Sequence, residues 1–115
     1  MKIETIKYMI MAQDMNRAVQ FYTKTVGLSV RFQSDMWTEL QWEGSTVALH
    51  GGWDGKVNRT GLSFQVQDIR TACEEAKAAG ATVLRAPEER AGEPIILADL
   101  RDPEGNEVMF SQYKG

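Results

Sequence analysis

His50 is the only histidine in the chain, and histidine is the natural carrier of general acid or base chemistry. Glu39 is the carboxylate best placed to act with it, since strand alternation puts both on one face. A third acidic residue, Glu107, falls on the corresponding face of a later strand. One imidazole and two carboxylates are suitable ligands for a divalent metal, so Glu39, His50 and Glu107 define one candidate metal set. No His-Glu-x-x-His run or similar short spacing supports that set. A lone histidine is more often a hydrogen-bonding residue than a catalyst, and ligand hydrogen bonding or pairing with Glu39 is the simpler expectation for His50.

A different chemistry is suggested by the residues around them. Trp37, and Trp53 further along, offer flat surfaces on which a planar ligand stacks. Trp53 could equally sit at a subunit contact. Met9, Met11 and Met109 would give a deformable apolar lining. Lys7 could pair with Glu39 or Glu107, or hold a ligand anion. Ser63 and Gln65 add polar groups from a strand in the second half. Glu39 and Glu107 would make only a modestly acidic surface for a cationic ligand.

These residues need elements to hold them. With 115 residues the chain suits one domain and is too short for two ordinary ones. A net charge of -3 and the absence of a basic stripe argue against nucleic acid. The opening MKIETIKYMIM alternates and carries charge, so it reads as a strand rather than a signal peptide or membrane span. The expected location is the cytoplasm. Cys73 is a single cysteine at helical spacing with Ile69, Ala72 and Ala76, which predicts a buried, inert thiol.

The chain repeats one pattern. Tyr8, Ile10 and Ala12 alternate with Lys7, Met9 and Met11 until Asp14 opens a helix; Leu62, Phe64 and Val66 alternate with Gly61, Ser63 and Gln65 until Asp68 opens another. Gly27 and Gly80 stop the helices. Strand material follows each stop, at 28–32 and 81–84, and then a hairpin: 37–42 with 46–50 about Glu43-Gly44, and 95–100 with 107–112 about Asp102-Pro103-Glu104-Gly105. The first turn predicts the pairs Trp42 with Ser45, Leu40 with Val47, Glu39 with Ala48 and Trp37 with His50. Trp42 falls on the helix side and is expected in the core. Residues 85–94 read as a polar excursion, with Glu88, Glu89 and Arg90 on a solvated loop. Module 1 spans about 1–52 and module 2 about 60–115, and neither is large enough to stand comfortably alone.

With "QDMNRAVQFYTKTVGL" near the start and "DPEGNEVMF" near the end, the chain resembles the vicinal oxygen chelate superfamily, which includes glyoxalase I, extradiol dioxygenases, fosfomycin-resistance enzymes and bleomycin-binding proteins. The resemblance implies an α+β fold, the glyoxalase/bleomycin resistance fold, in which two βαβββ modules form curved mixed sheets around a cavity. A homodimer is expected, with modules paired within or across chains. In the metal enzymes of that superfamily four ligands come from the first and last strands of each module, and the matching positions here are Lys7, Ala48, Gly61 and Met109. None is a plausible ligand for a hard or borderline divalent ion. The expectation is therefore a protein without a cofactor that binds a small hydrophobic or aromatic ligand. The alternative is a glyoxalase-like lyase or isomerase, or a dioxygenase-like enzyme, using the displaced metal set or His50 and Glu39.

Overall fold

The computed structural model describes all 115 residues as two four-stranded mixed sheets. Module 1 contains β1 (Lys7–Met11), β2 (Ser29–Gln33), β3 (Trp37–Trp42) and β4 (Ser45–His50), in the order β1-β4-β3-β2. Module 2 contains β5 (Asn58–Gln65), β6 (Thr82–Glu89), β7 (Ile95–Arg101) and β8 (Asn106–Tyr113), in the order β5-β8-β7-β6. The repeat read from the sequence is thus a repeat of topology. In each module the first strand runs parallel to the last and the remaining pairs are antiparallel.

Each helix starts where an aspartate can cap it. Asp14 accepts from the Arg17 amide at 3.1 Å and Asp68 from the Thr71 amide at 3.1 Å, satisfying first-turn N–H groups that have no partner inside the helix. Helix α1 (Met15–Gln20) continues as a wider π-type turn over Phe21–Thr25, and α2 spans Ile69–Ala78. Gly27 and Gly80 end them with φ of 100° and 103°, which glycine adopts without steric cost. None of the helices is long and apolar enough to cross a membrane.

Both helices cover one side of the sheets. Ile10, Leu40, Val47 and Leu49 from the first sheet and Ile96, Leu100, Val108 and Phe110 from the second meet Val19, Tyr22, Ile69 and Cys73 in one continuous buried cluster. Since residues of both modules share that cluster, neither sheet has a core of its own. Cys73 is buried, and burial pushes its thiol above the usual range, as an inert core cysteine requires.

Two expectations need correction. Trp42 is 61% exposed rather than core, because it ends β3 beside the turn, where no helix reaches; it borders a groove of about 360 Å³ with Val26, Leu28 and Leu62. Residues 85–89 belong to β6 and pair with β7 as far as Glu89 and Ile96, so Glu88 and Glu89 lie on a strand rather than in a loop. Register shifts between Val83 and Arg85 and between Arg85 and Glu88 break the alternation that would have revealed the strand. Pro87 is tolerated because β6 is the outer strand of its sheet.

The modules are joined at β1 and β5 by side chains. Asn106 Nδ2 donates to the Met11 carbonyl at 2.6 Å, and its Oδ1 accepts from the Met11 amide at 2.9 Å and from Asn58 Nδ2 at 2.8 Å. Two residues earlier, the fully buried Glu104 carboxylate accepts from the Gln13 and Asp14 amides at 2.9 and 2.7 Å and from Arg17 Nε at 2.7 Å. Asp102 receives the Tyr22 hydroxyl, the Glu104 and Asn106 amides and Asn106 Nδ2. The turn between β7 and β8 is therefore the clasp between the halves. Gly105 is obligatory in it: φ is 103°, and a Cβ there would strike the Lys56 carbonyl.

Removing clasp groups leaves buried donors and acceptors without partners. Asn106→Ala and Glu104→Gln should each destabilise the protein by about 2 to 3 kcal/mol in equilibrium urea unfolding; a loss under about 0.5 kcal/mol, the scale of an ordinary surface change, would remove the clasp from the account. A pH dependence follows from Asp102, whose carboxyl burial pushes above its usual range against the pull of its donors. A carboxyl with a raised folded-state pKa detracts from stability above that pKa, and the cost disappears as pH falls to the unfolded value. Tyr22→Phe removes one donor to the ionised form, so its destabilisation should be about 1 to 3 kcal/mol at pH 7 and shrink as pH falls through the Asp102 pKa. An equal loss at pH 7 and pH 4 would show that Tyr22 acts through packing alone.

Candidate functional site

The sheets do not close around an internal cavity, so the side away from the helices, the trough side, is open. In module 1 the predicted hairpin register is observed, with Trp37 opposite His50, Glu39 opposite Ala48 and Leu40 opposite Val47. Cross-strand neighbours share a face, so the trough floor there is built in rows. One row is Met11, His50 and Trp37; the next is Met9, Ala48, Glu39 and Phe32; the last is Lys7, Thr46 and Gln41. Phe32 was not expected. The register shift between Val30 and Phe32 turns its ring onto Glu39's face, where it is 54% exposed.

Module 2 continues the floor. Arg59, Glu107 and Arg101 form one row across β5, β8 and β7; Ser63, Met109 and Asp99, with Arg85 on β6, form the next. Gly61 lies between Arg59 and Ser63 where the β5 register shifts, and its amide donates to the Tyr8 hydroxyl of the neighbouring module. Gln65 and Ser111 pair further along. A depression of about 310 Å³ runs along Gly61, Arg85, Asp99, Glu107 and Met109.

The predicted site residues are thus spread over one face of both sheets, and their polar groups are divided among separate partners. Lys7 Nζ lies 2.9 Å from Glu39, which also accepts from Trp37 Nε1 at 2.9 Å. Those two donors, Trp37 first and Lys7 second, hold the Glu39 carboxyl below its usual range. A carboxylate so stabilised is a poor proton acceptor. Glu107 lies 3.3 Å from Arg101 Nη2 and 3.9 Å from Arg59 Nε. His50 Nδ1 is 2.7 Å from the Gly51 carbonyl rather than against Glu39, and its ring meets Trp37 edge-on at a centroid distance of 6.2 Å. A carbonyl only accepts, so Nδ1 carries the proton and Nε2 of the neutral ring is left with its lone pair.

This donor set does not fit a divalent metal. The matching positions hold an ion-paired ammonium at Lys7, a fully buried methyl at Ala48, no side chain at Gly61 and an exposed thioether at Met109. Glu39, His50 and Glu107 are not brought together as a substitute; no three histidine, cysteine, aspartate or glutamate side chains form a group able to hold an ion. Both trough glutamates are paired with cations, so the floor offers little excess negative charge to a cationic ligand. Trp53 lies outside the floor, half-buried in the connector, with Nε1 donating to the Lys56 carbonyl at 2.9 Å.

The comparisons with known proteins agree with this architecture. The glyoxalase-like domain matches the chain over residues 7–111. A Vibrio cholerae protein described as a probable lactoylglutathione lyase is 27% identical over 122 residues, covering 92% of this chain and 88% of its own length. A hypothetical protein from S. aureus superposes with a TM-score of 0.80 at 20% identity, covering 97% of this chain and 95% of that one. A glyoxalase/bleomycin resistance protein/dioxygenase family enzyme from Burkholderia phytofirmans superposes with a TM-score of 0.79 at 21% identity, covering 93% and 96%. A fosfomycin resistance protein from Listeria monocytogenes gives 0.79 at 13% identity, covering 97% and 94%. At those identities the solved structures speak to fold alone. With two repeated modules, their parallel first and last strands and a family match over nearly the whole length, the chain belongs to the glyoxalase-like domain family of the vicinal oxygen chelate superfamily.

Proposed function

We propose that the protein binds a small hydrophobic or aromatic ligand in the trough and does so without a metal at the superfamily's usual positions. The observation that carries this reading is the floor itself: Lys7, Ala48, Gly61 and Met109 stand at the four ligand positions, while Met9, Met11, Phe32 and Trp37 give the module 1 part of the floor an apolar surface. Met9 and Phe32 are 50% and 54% exposed, so area remains for a ligand to cover. Covering apolar surface contributes roughly 25 cal/mol per Å² before the costs of association. Lys7, His50, Ser63, Gln65 and Glu107 supply polar contacts around that surface. A second copy of the chain would complete the open side, and exposed Val30, Phe32 and Met36 on one flank support a homodimer. The single buried cysteine suits a cytoplasmic setting.

An enzymatic reading is favoured by one observation, the free Nε2 of His50 on the trough side. The name of the Vibrio cholerae relative supplies a substrate class to try. Turnover of a glutathione hemithioacetal that falls by about a hundredfold or more in His50→Ala would establish general acid or base work by that residue; unchanged turnover would dismiss it.

For the binding reading, titration with a panel of aromatic metabolites should quench tryptophan fluorescence saturably for at least one ligand, and Trp37→Phe should remove most of the change. Silence across a broad panel would count against the trough. Protein purified without chelator and exposed to zinc, nickel, manganese or iron should retain far less than one equivalent, and ligand affinity should be unaffected by EDTA. Stoichiometric metal lost in His50→Ala would instead move the enzymatic reading to first place.

A further inference from the structure

The two walls of the trough differ in kind. The module 1 floor carries Met9, Met11, Phe32 and Trp37; its charges Lys7 and Glu39 are paired with each other, and Arg31, in the β2 register shift, also acts on Glu39. The module 2 floor carries the row Arg59, Glu107, Arg101, in which two guanidiniums flank one carboxylate. Asp99 balances Arg85 at 3.3 Å in the next row, and Glu88 lies two rows away on the outer strand. One positive charge is therefore left without a counterpart in the row nearest the module junction.

The arginines of that row also have unused donors. Arg101 Nη2 reaches Glu107, but its Nε is buried and has no hydrogen-bond partner in the protein, the single such side-chain atom in the chain. A buried donor without an acceptor costs roughly 1 to 3 kcal/mol, so the guanidinium gains by turning toward an acceptor at its accessible end, the side chain being 36% exposed. Arg59 is held only by a 3.9 Å contact to Glu107, and its side chain is largely in solvent. A guanidinium presents five N–H donors in a fixed fork that matches a carboxylate.

The apolar wall and this row lie at the same level. Asn106, one residue before Glu107, is hydrogen-bonded to the backbone of Met11, which shares its row with His50 and Trp37. Asn58, the residue before Arg59, shares the Asn106 Oδ1 acceptor with the Met11 amide, which sets the start of β5 beside the end of β1. We infer that the ligand of this trough is a monoanion with an apolar or aromatic body, its carboxylate seated on Arg59 and Arg101 and its body on Met11 and Trp37. This rests on the binding function proposed above and names the chemical class it selects. A single negative charge neutralises the row, whereas a cation would meet the two arginines.

Calorimetric titration with 6-phenylhexanoate, 6-phenylhexanamide and 6-phenylhexylammonium separates the two ideas, since the three share one apolar body. The acid should bind about tenfold more tightly than the amide, and the ammonium most weakly. The preference for the acid should shrink as salt is raised. Arg101→Gln should weaken the acid by about tenfold and the exposed Arg59→Gln by about threefold, with the amide unaffected in both; Arg59→Gln keeps the test open if Arg101→Gln folds poorly. Equal affinities of acid and amide would overturn the anion seat and leave the apolar trough standing. Tighter binding of the ammonium would overturn the seat, as would 5-phenylpentylphosphonate binding more tightly than the acid at a pH where it is a dianion. Binding by none of the probes would overturn both readings.

Discussion

Glu104 buries its carboxylate completely and survives there because module 1 brings it donors from the Gln13 and Asp14 amides and the Arg17 guanidinium. An ionised carboxylate buried without such partners would be prohibitively costly. The arrangement works only when α1 begins beside the β7–β8 turn, so the charge fixes the position of one half of the molecule against the other. Asn106 does the same for the sheet edge. The facing edges of β1 and β5 do not form a ladder, and the Asn106 amide offers Met11 a donor and an acceptor as a neighbouring strand would.

The rest of the molecule can be read as a consequence. With β1 held against β5, both helices fall on one side and share a core, and the opposite faces become one trough. Apolar residues of module 1 and the charged row of module 2 are then presented on the same side of the molecule. A face of mixed character is obtained from two copies of one simple motif, because each copy is free to specialise its exposed side.

Much of this was legible in the sequence, and the reasons are local. Strand and helix periods, the caps Asp14 and Asp68, and the Glu43-Gly44 turn depend on neighbours in the chain, and they yielded the module order and the hairpin register. What escaped notice depends on distance or on a break in period. Glu104 and Arg17 are 87 residues apart, so nothing near either one announces the pair. Phe32 and β6 were obscured by register shifts, and Pro87 looks like the end of a strand unless the strand is known to lie at an edge. Trp42 followed the alternation faithfully yet lay beyond the helix that would have covered it. Among the site residues, Lys7 and Glu39 found each other as alternation allows, while the orphaned donor of Arg101 is visible only in three dimensions.

The alternation of side chains along each trough strand separates two kinds of inheritance. Ile10 and Val108 hold the core together, while their immediate neighbours Met9 and Met109 face outward and are still substantially exposed. An exchange at Met9, Phe32, Arg59 or Met109 removes few buried contacts, so most replacements there are tolerated by the fold. Variation can accumulate on the floor while selection keeps the clasp and the core nearly constant. A lineage built on this scaffold can therefore remodel its exposed face by successive single substitutions, none of which requires the protein to become unstable on the way.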